Sequence, residues 1–134
     1  NLAPDAKGFV YTVAFEFQLI DDQRHPDALR GPDRQTGALY SMIPAAAKPA
    51  KSAGEWNHGR LVVKGKQVEH WVNGKKVLEA SLDDPRVIAG VEKRWKPAPE
   101  ILNDLKQPKP TGPIALQHHG DRVWFKNIRI RELK

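Results

Sequence analysis

Three short alternating runs joined by two-residue turns, in residues 56–82, limit this chain more than any other stretch. Trp56–Lys64 leads through Gly65-Lys66 into Gln67–Val72, which turns at Asn73-Gly74 into Lys75–Leu82. Asn and Gly both tolerate the positive φ that a type I′ turn demands at its two central positions, so Asn73-Gly74 predicts a tight hairpin. A parallel crossover needs a dozen residues or more, and two-residue connections cannot supply it. The meander is therefore antiparallel.

Period-2 alternation extends this reading to both ends of the chain. From Phe9 to Ile20 one face carries Tyr11, Val13, Phe15, Phe17 and Leu19, while Glu16 and Gln18 follow each other on the opposite face. Gly37–Ile43 reads as a further strand. At the C-terminal end, Pro113–Leu133 reads as a ribbon turning at Gly120-Asp121. Its first arm points Ile114, Leu116 and His118 one way and Ala115, Gln117 and His119 the other. In its second arm Trp124, Ile128 and Ile130 share a face, with Trp124 expected in the core and Val123 and Phe125 opposite.

The intervening segments are polar or proline-rich. Residues 21–36 and 44–54 read as loops, the first long enough to suggest a functional role. Asp83-Asp84-Pro85 is a helix start, with an acidic cap and Pro at the first helical position. Val87, Ile88, Val91 and Trp95 then recur at helical spacing until Pro97 and Pro99. A second short helix is expected over Pro99–Lys106, and Pro108–Pro113 is a stiff linker. The expectation is a single all-β domain over residues 1–134, an antiparallel β-sandwich or jelly roll with a helical excursion at about 84–106.

A chain of 134 residues suits one domain with a real core. No apolar run approaches the ~18 residues a membrane span requires. The formal charge of +6 raises nucleic acid as a partner, but the Lys and Arg residues are scattered among acids without a basic arm, so none is expected. The absence of Cys excludes disulfides and thiolate metal sites.

Chemistry-bearing residues collect on the polar faces of these strands. Glu16, in mid-strand opposite an apolar face, is expected to be partly desolvated and so a stronger base; the structural alternative is pairing with an Arg. His119, beside the Gly120 turn, titrates at ~6.5 when unperturbed and suits proton transfer near neutrality; the alternative is a rim histidine bonded to a loop. Gln18 and Gln117 lie next to these two and suit sugar hydroxyls. Asp21, Asp22, His25 and Asp27 form a loop rich in hard donors, the type that takes a divalent cation, with a solvated turn as the simpler reading. Trp56, Trp71, Trp95 and Trp124 are aromatic platforms or core.

The ordered set Phe15–Asp22 with His25-Pro-Asp27, Gly37–Tyr40, Gly54–Asn57, Val68–Lys75, Gly112–Asp121 and Val123–Ile130 resembles the 3-keto-disaccharide hydrolase domain family. The resemblance implies a concanavalin A-like lectin/glucanase jelly roll. Family domains begin with additional strands, so this chain looks like the C-terminal portion of such a domain, and open strand edges make homo-oligomeric association an expectation. Periplasmic or secreted location goes with the resemblance. So does chemistry on a sugar oxidised at C3: the ketone acidifies the C2 proton, its loss expels the glycosidic oxygen from C1, and water then adds. No cofactor is required for that sequence, a divalent cation being the one optional group. His119 and Glu16 are the expected acid–base groups, and Gln18, Gln117, Tyr40 and Trp56 the expected substrate-binding ones. The alternative is a non-catalytic carbohydrate-binding, lectin-like module.

Overall fold

The structure, a computed structural model, describes residues 14–95, 103, 105–106 and 112–133. The meander forms as the turns require. Strands β1 (Gly59–Lys64), β2 (Gln67–Val72) and β3 (Lys75–Ser81) make an antiparallel sheet in the order β1-β2-β3. Asn73 and Gly74 sit at φ 50° and 81°, the two positive values a type I′ turn needs. Asn73 also binds the 49–58 loop. Its Nδ2 donates to the Pro49 carbonyl at 2.9 Å and to Asn57 Oδ1 at 2.8 Å, and its Oδ1 accepts from His58 N at 2.8 Å.

The sheet has one buried and one polar face. Val68, His70 and Val72 alternate inward along β2, and Val77, Leu78 and Ala80 are buried on β3. The pairing register shifts beside His70 and Trp71, leaving Val77 without an opposite partner. This bulge lets the consecutive Val77 and Leu78 both be buried, which strict alternation forbids. On the outer face Trp71 Nε1 donates to Glu69 Oε2 at 2.7 Å, and the Arg60 guanidinium lies 5.4 Å from the Trp71 ring.

Helix α1 (Pro85–Trp95) starts as the Asp84 cap demands, with Arg86 N donating to Asp84 Oδ1 at 2.8 Å. The Arg86 guanidinium beside it holds the Asp84 carboxyl down to about 2. Val87 and Val91, one turn apart, are fully buried and join Leu39, Ile43, Val68, Leu78, Ala80, Leu82 and Leu105 in the core, with Phe15 and Met42 packed against it. Each buried Val, Leu or Ile among them contributes about 1.5–3 kcal/mol. Gly90 lies against Met42, where an added Cβ would come within 2.7 Å of Met42 Cγ.

Two expected strands differ from the structure. Residues 14–20 and 37–43 do not form full strands; they share only isolated bridges, Phe17 with Leu39 and Leu39 with Ile43, beside bonds such as Tyr40 N to the Glu16 carbonyl at 3.0 Å. Ser41 has φ 62°, and this left-handed residue turns the chain back so that Leu39 and Ile43 face each other, ending any longer ladder. Leu19, expected on the buried face, is exposed.

The C-terminal ribbon does not form either. Residues 112–133 contain no strand, and Ile114, Leu116, Trp124, Ile128 and Ile130 are all more than half exposed, so Trp124 is not core. Asn127 at φ 55° breaks the alternation between Trp124 and Ile128, so the apolar residues do not hold one continuous face. Among the described residues there is one three-stranded sheet and no second layer of strands facing it. Asn103, Leu105 and Lys106 are helical, while the rest of the expected Pro99–Lys106 helix and residues 9–13 of the first strand lie outside the described residues.

Candidate active site

The 21–36 loop is held by its own polar side chains. Asp21 Oδ1 accepts from Gln23 N (3.0 Å) and Arg24 N (3.2 Å), and Asp22 Oδ1 accepts from Thr36 N at 2.7 Å. Thr36 Oγ1 donates to the Ile20 carbonyl and accepts from Ile20 N, closing the loop at its base. Two short 3-10 turns, Ala28–Arg30 and Pro32–Arg34, then bring Arg30 and Arg34 back toward Asp27.

Asp27 is buried at the centre of this arrangement. One oxygen accepts from Arg30 Nη1 (3.0 Å) and Arg34 Nη1 (3.1 Å), and the other accepts from the Tyr40 hydroxyl at 2.7 Å. Burial pushes its carboxyl up, but the Tyr40, Arg34 and Arg30 donors outweigh that and hold it below the usual Asp range. Tyr40 also accepts from Arg34 Nη1 at 2.6 Å. Burial, then the neighbouring Asp27 carboxylate, pushes its hydroxyl up to about 12, so it stays protonated. Arg34 and Arg94 lie 5.0 Å and 4.6 Å from the Tyr40 ring.

Glu16 and His119 approach this network from two sides. Burial raises the Glu16 carboxyl above the ordinary range, partly offset by the charges of Arg94 and His119, while Asp27 pushes the same way as burial. The His119 ring stands edge-on to His25 with centroids 5.0 Å apart. His25 Nδ1 accepts from Asp27 N at 3.1 Å, which puts the neutral ring's proton on Nε2, 3.8 Å from Asp121. Two segments a hundred residues apart thus meet at one carboxylate and two imidazoles.

Beside them opens a cleft of about 340 Å³ lined by Arg30, Asp33, Arg34, Ser41, Lys93 and Arg94. Ser41, in its left-handed conformation, is held by Asp33 O and by Arg34 Nη2 at 3.4 Å. Glu16 and His119 do not line this cleft; Arg94, in its wall, is within electrostatic reach of Glu16.

The expected substrate-binding groups have different settings. Gln18 is buried, its Oε1 accepting from Leu19 N at 3.1 Å, and Gln117 is half-buried. Trp56 is half exposed with the Lys126 ammonium 3.9 Å from its ring, and the Tyr40 hydroxyl belongs to the Asp27 network. Asp21, Asp22, His25 and Asp27 each bond within their own loop. Among the described residues no three His, Asp or Glu side chains converge in the manner of a metal site. No helix among them is long and apolar enough to cross a membrane.

Arg34 and Arg94 are functional candidates that sequence reasoning passed over. Arg94 had a readable signal: it falls seven residues after Val87 and three after Val91, so it extends the buried stripe of α1. A charge on an apolar stripe needs a partner. Burial lowers its pKa, opposed by Tyr40 and Glu16.

A small β-rich domain whose loops, rather than its sheet, hold a desolvated carboxylate among histidines and arginines is the class defined so far. The chain belongs to the 3-keto-α-glucoside-1,2-lyase-like domain family, whose sequence profile matches residues 3–131. It is 39% identical over 132 residues to a 3-keto-disaccharide hydrolase of Bacteroides thetaiotaomicron, a match covering 92% of this chain and 46% of that protein. The chain therefore spans about half the length of that curated relative. A crystal structure from Parabacteroides distasonis ATCC 8503, provisionally described as a glycosyl hydrolase, superposes with a TM-score of 0.56 at 26% identity, covering 72% of this chain and 44% of that one.

Proposed function

We propose that this chain carries the acid–base groups of a carbohydrate-cleaving enzyme acting on 3-keto-glycosides, on the concanavalin A-like jelly roll the family resemblance implies. The observation that carries the reading is Glu16, a carboxylate raised by burial within electrostatic reach of both Arg94 and His119. A desolvated carboxylate is a stronger base than a solvated one. Glu16 takes the C2 proton, and its electron pair becomes the enolate of the C3 ketone. Arg94 supplies positive charge as that enolate forms. The C1–O bond then breaks as the enolate collapses, and His119 protonates the departing oxygen. Addition of water across the resulting double bond, hydroxyl to C1 and proton to C2, completes a net hydrolysis. Asp27, with Tyr40 and Arg34, holds the loop and His25 in place; Trp56 offers an exposed ring, and Gln117 a half-buried amide, to the sugar.

The test compares a 3-keto-glucoside with the same glucoside unoxidised. The unoxidised sugar is expected to be inert, because without the ketone its C2 proton is far too weakly acidic. Deuterium at C2 should slow the keto substrate when abstraction limits the rate, and Glu16→Gln should lower kcat by more than ~100-fold with a much smaller change in KM. Equal turnover of the two glucosides would overturn the mechanism. Sugar binding without turnover by the wild type would make the domain a lectin-like module.

A further inference from the structure

The loop that holds Asp27 also grips the segment that carries His119. His25 lies between them with 14% of its side chain exposed, whereas His119 is an exposed residue. His25 is tied firmly into its own loop. Its Nδ1 accepts from Asp27 N at 3.1 Å, its backbone N donates to the Asp21 carbonyl at 3.1 Å, and its carbonyl accepts from Leu29 N at 3.3 Å. Asp27 is held in turn by Arg30, Arg34 and Tyr40. From the other side come His119 and Asp121, which flank Gly120 at the turn. The His119 ring stands at 87° to the His25 ring with centroids 5.0 Å apart, and Asp121 Oδ2 lies 3.8 Å from His25 Nε2. His118 Nδ1 closes the same turn by accepting from Gly120 N at 3.3 Å. The turn therefore straddles an anchored imidazole.

We infer that His25 is the positioning residue for His119, holding that exposed imidazole where it can protonate the departing sugar oxygen, with Asp121 as a second grip on the turn. The inference rests on reading His119 as the group that protonates this oxygen, and adds what aims it. An exposed side chain on an irregular segment samples several rotamers, and every misplaced one delays proton transfer. The anchored ring of His25 restricts that choice from one side. The bond from Asp27 N also sets the proton of neutral His25, because an occupied Nδ1 leaves the proton on Nε2, the nitrogen nearest Asp121. The buried Asp27 network thus reaches His119 through a single intermediate residue.

Leaving-group dependence separates positioning from mere support of the loop. Nitrophenolate departs without a proton, whereas a sugar alkoxide needs one as the C1–O electron pair moves onto oxygen. His25→Asn keeps an acceptor for Asp27 N and removes the ring beside His119. It should lower kcat about 10-fold on a 3-keto-disaccharide with little change in KM, and far less on 4-nitrophenyl 3-keto-glucoside. The deuterium effect at C2 should shrink with the disaccharide, because departure becomes the slow step. Asp121→Asn should act in the same sense at about 3-fold, with thermal unfolding confirming that each variant folds. Without any substrate, the imidazole NMR resonances of His119 in the whole chain should move in His25→Asn. Equal losses on the two substrates, full activity of His25→Asn on the disaccharide, or unmoved His119 resonances would each overturn the inference. Full turnover in Glu16→Gln, with the leaving-group effect of His25→Asn intact, would remove Glu16 as the base and leave His25 in its role. Loss of the leaving-group effect alone leaves the Glu16 step standing.

Discussion

Two stretches of this chain are written in nearly the same way and come out differently. Residues 59–81 and 113–131 both alternate apolar and polar side chains, and both contain a glycine-bearing two-residue turn. The first becomes a three-stranded sheet, while the second has no regular pairing and exposes Ile114, Leu116, Trp124, Ile128 and Ile130. Turn chemistry does not separate them, since Gly74 and Gly120 both adopt positive φ, 81° and 95°. What separates them is cover. Helix α1 lays Val87 and Val91 against Val68, Leu78 and Ala80. Among the described residues nothing comparable lies over the C-terminal segment. Alternation states which face can be buried; β2 and β3 persist where the helix covers them, and the exposed β1 persists through its ladder to β2.

The comparison breaks first on core truncation. Leu78→Ala should destabilise the protein by about 3 kcal/mol, whereas Ile130→Ala should stay within ~0.5 kcal/mol, both read from urea midpoints. A large loss for Ile130→Ala would mean that the C-terminal segment packs in solution.

Catalysis should reverse that ranking. His119, from the irregular segment, is expected to matter as much to turnover as a core residue does to folding. His119→Ala should lower kcat on a 3-keto-glucoside by more than ~100-fold while leaving the unfolding midpoint in place. Full activity in that variant would reduce 112–133 to a bystander.

The two turns give a smaller and more local contrast. Gly74→Val should cost about 1–2 kcal/mol, because a side chain strains the left-handed position and β2 and β3 would lose their register. Gly120→Val meets the same local penalty with no ladder to disturb, so the unfolding midpoint should move by less than the equivalent of ~0.5 kcal/mol.

The smallest effect concerns His70. Its ring stacks on Phe17 with centroids 4.3 Å apart, and its Nδ1–H donates to the Gly37 carbonyl at 2.9 Å. Burial holds its pKa below the ordinary 6.5, against the pull of the Gly37 and Ala38 carbonyls. The unfolded chain therefore takes up this proton first as the medium is acidified. Stability should fall as pH drops through about 6.5 and level off once the folded-state value is passed. His70→Gln should flatten that slope; an unchanged slope would show that the ring titrates normally.

Much of the sheet and helix was legible in advance. Asn73-Gly74, Gly65-Lys66 and the Asp84-Pro85 start act within a few residues, and structure set by local turn and cap chemistry is readable from local sequence. Glu16 and His119 were readable as titratable groups on polar faces, and the structure brings them within electrostatic reach of each other. Arg34 and the paired state of Asp27 were not readable, because the two short 3-10 turns that join them depend on how the loop closes at Thr36.

By itself, then, the sequence determined the antiparallel meander, the helix with its N-terminal cap and stripe, and the residue types available for acid–base work, since each follows from φ preferences and periodicity along the chain. Only the tertiary structure decided that the C-terminal segment stays unpaired, that Val77 bulges, and that Asp27, Tyr40, Arg34 and Arg94 assemble beside Glu16 and His119. Burial and charge pairing between distant segments are properties of the packed whole, and no local window of sequence contains them.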